Sequence, residues 1–299
     1  MDAVTIIEVG VDVFIDKLRF RSYDCSLNGN PPYKICHNYV NLYVSVCDNC
    51  NADCSFCVFK KKKNTIKPDF EKFKTILDEL VGNGVAIHKI SFTGGEPTTK
   101  TEVLDEYLSI VNKLRHKPFV VVNSNGYNLK WLHDNGIVDN ISLSYHHYDS
   151  VSRYKLAKTK SIVSDEDIKK YGKKVHLTCN LIRGFIDSEE SIIKYLEKAA
   201  SMNVHDVGLV SLMKVNTFCM ENHIDFDSIN FKSQNIVCNK VWSCLDICKC
   251  KNYLYLPSVG NKVVKFYSRY RCKHTVASAS NYVYDGNHLR TNFNGEVII

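Results

Sequence analysis

From about residue 41 the chain alternates between short β-branched or aromatic runs and longer stretches with apolar residues at helical spacing. Alternation of that kind predicts parallel βα units. The predicted strands are Asn41–Val46, Ala86–Phe92, Phe119–Val122, Asn140–Ser144, Lys174–Leu181 and Val207–Met213. Pro68–Leu80 reads as a helix, with Phe70, Phe73, Ile76, Leu77 and Leu80 on one face and Asn83-Gly84 closing it. Glu102–Leu114 is a second helix, and Asp187-Ser188-Glu189-Glu190 reads as a capping box opening a third that ends near Met202. Six such units make a partial, TIM-like (β/α)6 barrel of the α/β class. In barrels of this type chemistry collects at the C-terminal ends of the strands.

The pattern differs on either side. Residues 1–40 hold two β-like runs, Val4–Val9 and Val11–Ile15, then the loop-like Asn28-Gly29-Asn30-Pro31-Pro32. They read as an N-terminal extension with an edge hairpin. After Met213 the βα rhythm stops, and 214–237 reads as a polar connection. Beyond it come Cys238, Cys244, Cys248 and Cys250, then two short strands, Tyr253–Leu256 and Val263–Tyr267, joined by Pro257–Lys262, then Cys272. Tyr282–Tyr284 and His288–Arg290, joined by Asp285-Gly286-Asn287, suggest one more hairpin. The expected organisation is therefore an extension at 1–40, a barrel at 41–213 and a small cysteine-rich β-hairpin extension at 214–299.

Composition narrows the class. The chain has 299 residues, 44% of them hydrophobic and 24% charged, which reads as globular with a full core. It has no apolar run of membrane-spanning length and its start lacks a secretion signal, so a cytoplasmic location and no membrane partner are expected. The net charge of +7 is modest, and the run Lys60–Lys63 reads as a solvated loop, with a phosphate or acidic-peptide patch as the alternative and no strong nucleic-acid signal. Thirteen cysteines in such a chain point to metal or redox chemistry rather than disulfides. Cys25 and Cys36 lack metal spacing.

The chemistry centres on residues 47–57, where Cys50, Cys54 and Cys57 stand as C-x3-C-x2-C, with Phe56 just before the last. Three thiolates can hold three irons of a [4Fe–4S] cluster and leave the fourth iron open. Cys47 offers a competing trio with Cys50 and Cys54, and all four could instead form a zinc knuckle. A second motif, Thr93-Gly94-Gly95-Glu96-Pro97, ends the next predicted strand. Two glycines there permit a close backbone approach to a ligand, and the carboxylate can meet an amine. The cysteine spacing with its aromatic residue resembles the radical S-adenosylmethionine (SAM) superfamily, and the glycine motif resembles that family's GGE element. The resemblance spans about residues 41–213.

It implies a cluster on Cys50, Cys54 and Cys57 whose open iron binds SAM, with Phe56, Gly94, Gly95, Glu96, Asn125, Ser142, Ser144, Asn180 and Ile182 as SAM-contacting candidates. Asn180-x-Ile182-x-Gly184-x-x-Asp187 is similar to a family element, with Asn and Asp as departures. His146 and His147 are candidate pocket residues, or ordinary loop histidines. Cys179 and Cys219 are candidate hydrogen donors, or inert buried thiols. If the C-terminal hairpin turns on Asn261, Cys250 and Cys272 face each other, with Cys244 and Cys248 arriving at the same end. Four thiolates there suit a second [4Fe–4S] cluster and resemble the "twitch" extension of the family, with structural zinc as the alternative.

The expected activity is reductive cleavage of SAM to a 5′-deoxyadenosyl radical that takes hydrogen from a substrate, served by an electron donor such as flavodoxin or ferredoxin. A peptide or peptide-like substrate comes first and a nucleotide-like or other small molecule second. A GTP cyclase of the family ends in a Gly-Arg-rich tail, whereas this chain ends Asn-Gly-Glu-Val-Ile-Ile. A non-enzymatic iron–sulfur carrier or sensor accounts for the cysteines but leaves the Gly-Gly-Glu-Pro turn unexplained.

Overall fold

The six predicted strands form and pair in sequence order. They are β1 (Tyr39–Cys47), β2 (Ala86–Gly94), β3 (Phe119–Ser124), β4 (Asn140–Ser144), β5 (Val175–Leu181) and β6 (Asp206–Ser211), each parallel to the next. The computed structural model describes residues 39–57, 66–159, 161–244, 248–257, 262–268, 281–290 and 298. The runs Val4–Val9 and Val11–Ile15, the loop at Asn28–Pro32, Cys25, Cys36, Lys60–Lys63 and Cys272 lie outside the described residues.

Successive side chains of a strand point to opposite faces. On one face Val40, Leu42, Val44 and Val46 of β1, Ile90 and Phe92 of β2, and Leu177, Cys179 and Leu181 of β5 are all buried, while Asn41, Tyr43, Thr178 and Asn180 on the other are half-buried. Helices α1 (Phe70–Gly82), α2 (Thr101–Asn112) and α6 (Glu189–Ser201) cover the sheet as the periodicity predicts. Asp69 caps α1, accepting from the Lys72 amide, and Phe73, Ile76, Leu77 and Leu80 form its buried face. The cap of α6 is shifted from the expected one. Ser188 accepts from the Ser191 amide and Ser191 answers the Ser188 amide, so a second serine does the work expected of Glu190.

Three short helices were not foreseen: α3 (Leu129–Asp134), α4 (Ser150–Ala157) and α5 (Asp165–Tyr171). The connection after β6 also holds a short helix, α7 (Thr217–Glu221).

The C-terminal segment extends the same sheet. β7 (Ile236–Cys244), β8 (Cys248–Tyr255) and β9 (Val264–Ser268) form an antiparallel set, and β9 lies parallel to β6. β10 (Asn281–Tyr284) lies parallel to β1 and pairs antiparallel with β11 (Leu289–Arg290), the expected last hairpin. Among the described residues the sheet has eleven strands in the order β11-β10-β1-β2-β3-β4-β5-β6-β9-β8-β7 and does not close, as a partial barrel requires. The expected register of the cysteine hairpin is corrected. Tyr255 pairs with Val264 and Asn252 with Tyr267, so the midpoint falls ahead of Asn261 and that facing of Cys250 with Cys272 does not follow. In the backbone register Cys250 instead pairs with Trp242, and Cys244 with Cys248. Among the described residues no helix is long and apolar enough to cross a membrane.

Candidate functional site

The cysteine loop leaves the C-terminal end of β1 and is joined at once to the glycine turn at the end of β2. The Gly95 amide donates to the Cys47 carbonyl at 2.7 Å, and the Glu96 amide to the Asn49 carbonyl at 2.7 Å. The glycines serve that junction. A Cβ on Gly94 would lie 2.4 Å from the Cys47 oxygen, and one on Gly95 would lie 2.0 Å from the Asn49 oxygen. Gly94 also sits at φ 129°, where side chains are strained. The glycines thus make a close approach to the cysteine loop.

Other elements clamp the loop. The Asp53 amide donates to the Ala157 carbonyl at 3.0 Å and the Ser55 amide to the Leu156 carbonyl at 3.1 Å. These are the orphan carbonyls of the last turn of α4, so loop and helix end satisfy each other. Asn216, the N-cap of α7, reaches the Ser55 carbonyl at 3.4 Å, and Cys219 Sγ contacts the Phe56 carbonyl at 3.6 Å. Phe56 packs edge-on against His146, with ring centroids 4.6 Å apart, and borders a small apolar cluster of Leu156, Ile182, Leu212 and Cys219.

The two possible cysteine trios differ in the fold. Cys47 is buried, and its sulfur lies 3.4 Å from the Glu96 carbonyl and 3.7 Å from Thr99 Oγ1. Cys50 is exposed, and Cys54 and Cys57 are half-buried on the loop. The three thiols are close enough for charge on one to disfavour charge on another. Burial pushes Cys54 up to about 12, and neighbouring Cys57 and Cys50 add to it; Cys50 is raised by burial as well. A cationic iron–sulfur core removes that repulsion and takes thiolates as its ligands, so this donor set fits one. Among the described residues no three His, Cys, Asp or Glu side chains converge on a single-ion position.

Glu96 points inward. It is 1% exposed. Oε1 accepts from the Thr98 amide at 3.1 Å, Thr98 Oγ1 at 2.6 Å and Ser124 Oγ at 2.8 Å, and Oε2 accepts from the Asn125 amide at 2.6 Å. Burial raises its carboxyl despite these four donors. The carboxylate expected to face an ammonium thus ties the glycine turn to the end of β3.

A cleft opens beside the loop, lined by Ala52, Cys54, Asn125, Ser144, Tyr145, His146, Arg153, Leu156, Ala157, Thr159 and residues 161–163. Of the expected SAM contacts, Asn125 and Ser144 line it. Ser142 is buried with its hydroxyl 3.1 Å from Thr178 Oγ1, and Ile182 is fully buried in the cluster under Phe56. Neither borders the cleft. Asn180 acts through its amide, which donates to His146 Nδ1 at 3.1 Å. A ring nitrogen that accepts carries no proton, so neutral His146 holds its proton on Nε2. Burial lowers His146 to about 4, which keeps it neutral near pH 7. His147 is structural: its Nδ1 accepts from the Asp149 amide at 2.9 Å and its ring packs on Tyr148 and Phe185. Asp187, a departure from the family element, accepts from the Gly184 amide at 2.7 Å and closes that turn. Cys179 is fully buried, and burial raises its thiol.

One wall of the cleft had no sequence signal. Arg153 of α4 lies 4.2 Å over the Tyr145 ring, donates to the Val163 carbonyl at 2.9 Å and pairs with Asp165 at 3.0 Å. Tyr145 OH and Lys198 also bind Asp165.

Comparison with known proteins agrees with this geometry. A GTP 3′,8-cyclase of Aquifex aeolicus is 25% identical over 206 residues, covering 63% of this chain and 62% of that protein. A 7,8-dihydro-6-hydroxymethylpterin dimethyltransferase of Methanocaldococcus jannaschii is 29% identical over 188 residues, covering 58% of this chain and 36% of that one. The chain thus spans less than two thirds of the length of these relatives. SuiB of Streptococcus suis, solved with bound S-adenosylmethionine, superposes with a TM-score of 0.50 at 19% identity, covering 62% of this chain and 44% of that one, a likeness of fold. The radical SAM superfamily matches residues 44–199, just over half of the chain, and the chain belongs to that family.

Proposed function

We propose that this chain cleaves S-adenosylmethionine at a [4Fe–4S] cluster held by Cys50, Cys54 and Cys57. The observation that carries the proposal is the junction of the three-cysteine loop with the Gly94-Gly95-Glu96 turn, two amide-to-carbonyl bonds at 2.7 Å. Family membership implies the cluster and SAM. When bound, the cluster supplies the electron that splits SAM into methionine and a 5′-deoxyadenosyl radical, which removes a hydrogen atom from the substrate. The chain's own residues hold and orient. Glu96 fixes the glycine turn against β3. Ser144 offers a hydroxyl along the cleft, and His146 offers a neutral Nε2–H. Phe56 and the apolar residues behind it exclude water from one side of the loop.

A peptide or peptide-like molecule is the first substrate reading. Exposed Tyr127, Val151, Tyr154, Val215 and Met220 follow β3, β4 and β6 on the C-terminal side of the barrel, apolar surface that an extended peptide can cover. A nucleotide-like small molecule is the second reading, favoured by the names of the curated relatives. A second [4Fe–4S] cluster on Cys244, Cys248, Cys250 and Cys272 is proposed as well, supported by the backbone register that pairs Cys244 with Cys248 across β7 and β8. Reduced protein incubated with SAM and a deuterated cell extract, fractionated into peptides and small metabolites, separates the substrate readings. Deuterium appearing in 5′-deoxyadenosine from the peptide fraction supports the first, and deuterium from the small-molecule fraction supports the second.

A further inference from the structure

Asn125 was expected to meet SAM, yet its side-chain amide is held by the cysteine loop. Its carbonyl oxygen accepts from the Tyr127 amide at 3.0 Å, which fixes which end of the group is nitrogen. That nitrogen donates to Asn51 Oδ1 at 2.8 Å. Asn51 is itself oriented, because its own nitrogen donates to the Ser161 carbonyl at 3.1 Å. Two main-chain groups of known polarity therefore determine both amides. The second hydrogen of Asn125 Nδ2 is directed to Cys50 Sγ, 3.8 Å away. The Ala52 amide donates to the same sulfur at 3.4 Å. From the other side, the Asn125 main-chain amide is anchored on Glu96 Oε2 at 2.6 Å. The glycine-turn carboxylate and a cysteine of the loop are thus joined through one residue.

We infer that Asn125 is a positioning residue that sets the reduction potential of the cluster through an N–H···S hydrogen bond to Cys50. The inference rests on the reading that Cys50 is an iron ligand. A donor on a ligating sulfur withdraws electron density from it. It favours the reduced cluster, which carries one more negative charge, so it raises the potential. The strength of the contact is modest at this distance, but its direction is over-determined by the Asn51 and Tyr127 bonds. Serine, threonine or aspartate at this position cannot supply both the acceptor for Tyr127 and the two N–H donors.

The test is an EPR-monitored redox titration of full-length reconstituted protein, following the signal that changes when SAM is added. Asn125→Asp keeps the size and the acceptor for Tyr127 but loses both donors and adds charge. Asn125→Ala loses the donors without adding charge. The expected result is a midpoint shifted to more negative potential in Asn125→Ala and further in Asn125→Asp. Equal potentials in all three proteins overturn the inference while leaving the cluster reading intact. A wild-type protein with no SAM-responsive signal overturns the cluster reading and the inference with it. Because a variant can lose its cluster, wild-type protein labelled with 15N in the asparagine side chains provides an independent measurement. A hyperfine coupling from a side-chain 15N to the reduced SAM-responsive cluster is expected, and its absence overturns the inference.

Discussion

Replacing Glu96 by glutamine separates two roles for the glycine-turn carboxylate. In the structure four donors converge on it: the Thr98 amide, the Thr98 hydroxyl, the Ser124 hydroxyl and the Asn125 amide. Glutamine keeps one acceptor oxygen. With that oxygen at the Oε1 position, the new NH2 faces the Asn125 N–H across a gap that was a 2.6 Å bond. Reversing the group sets the NH2 against the Thr98 amide, which cannot rotate away as the two hydroxyls can. In either orientation a main-chain N–H loses its acceptor in a site that is 1% exposed. A buried donor left unsatisfied costs about 1–3 kcal/mol. Removing a charge that burial disfavours offsets part of this, so the lower half of that range is expected. Urea unfolding of the apo protein followed by tryptophan fluorescence should show a lower midpoint with an unchanged slope. Hydrogen exchange at the Asn125 amide should speed up by about 5- to 30-fold, the equivalent of about 1–2 kcal/mol. If apo stability and exchange are unaltered while SAM affinity falls, the carboxylate faces the ligand and the bracing role is refuted.

Gly95→Ala places a Cβ 2.0 Å from the Asn49 oxygen, so the cysteine loop must move; a cost of about 1–3 kcal/mol in thermal stability and a drop in bound iron after reconstitution are expected. Burial alone would raise the Asp165 carboxyl, but hydrogen bonds from Lys198 and Tyr145 and the Arg153 charge hold it below its usual value. Its stabilisation is therefore complete above its unfolded pKa of about 4 and is lost as pH falls through the lower folded value. The gap in urea midpoint between wild type and Asp165→Asn should be wide near neutral pH and should close on acidification, and a gap that widens in acid would contradict the assignment.

The strands were legible because the face turned to the core is apolar at alternate positions, as Val40, Leu42, Val44 and Val46 and Leu177, Cys179 and Leu181 are. Strand ends were less so. β2 runs on through Gly94 because Cys47 of β1 pairs with it there, a long-range contact that no local run of residues records. The helix α4 escaped notice for two physical reasons. Its buried face carries Arg153, whose charge is answered by Asp165 from another element, and it ends on Lys158 at φ 50° where glycine is the usual signal. The cleft wall built on α4 was missed with it. In the loop, the order of the spacings and the place of Phe56 favoured Cys50, Cys54 and Cys57 over a trio with Cys47, and the fold adds that Cys47 is bonded back to Glu96 and Thr99. The closeness of the glycine pair to the cysteine loop could not be read locally, because Asn49 and Cys47 lie more than forty residues away in the chain. The hairpin register failed because it rested on a guessed turn centre, and Tyr255 pairing with Val264 displaces it.

The central claim is that the loop bearing Cys50, Cys54 and Cys57 carries out SAM cleavage. The most direct measurement is the yield of 5′-deoxyadenosine from anaerobically reconstituted, chemically reduced protein incubated with SAM, for wild type, Cys47→Ala and Cys57→Ala. Wild type and Cys47→Ala should form 5′-deoxyadenosine, and Cys57→Ala should form none above the protein-free background. Cleavage that survives in Cys57→Ala but is lost in Cys47→Ala, or an iron-loaded wild type that forms no 5′-deoxyadenosine, would contradict the account.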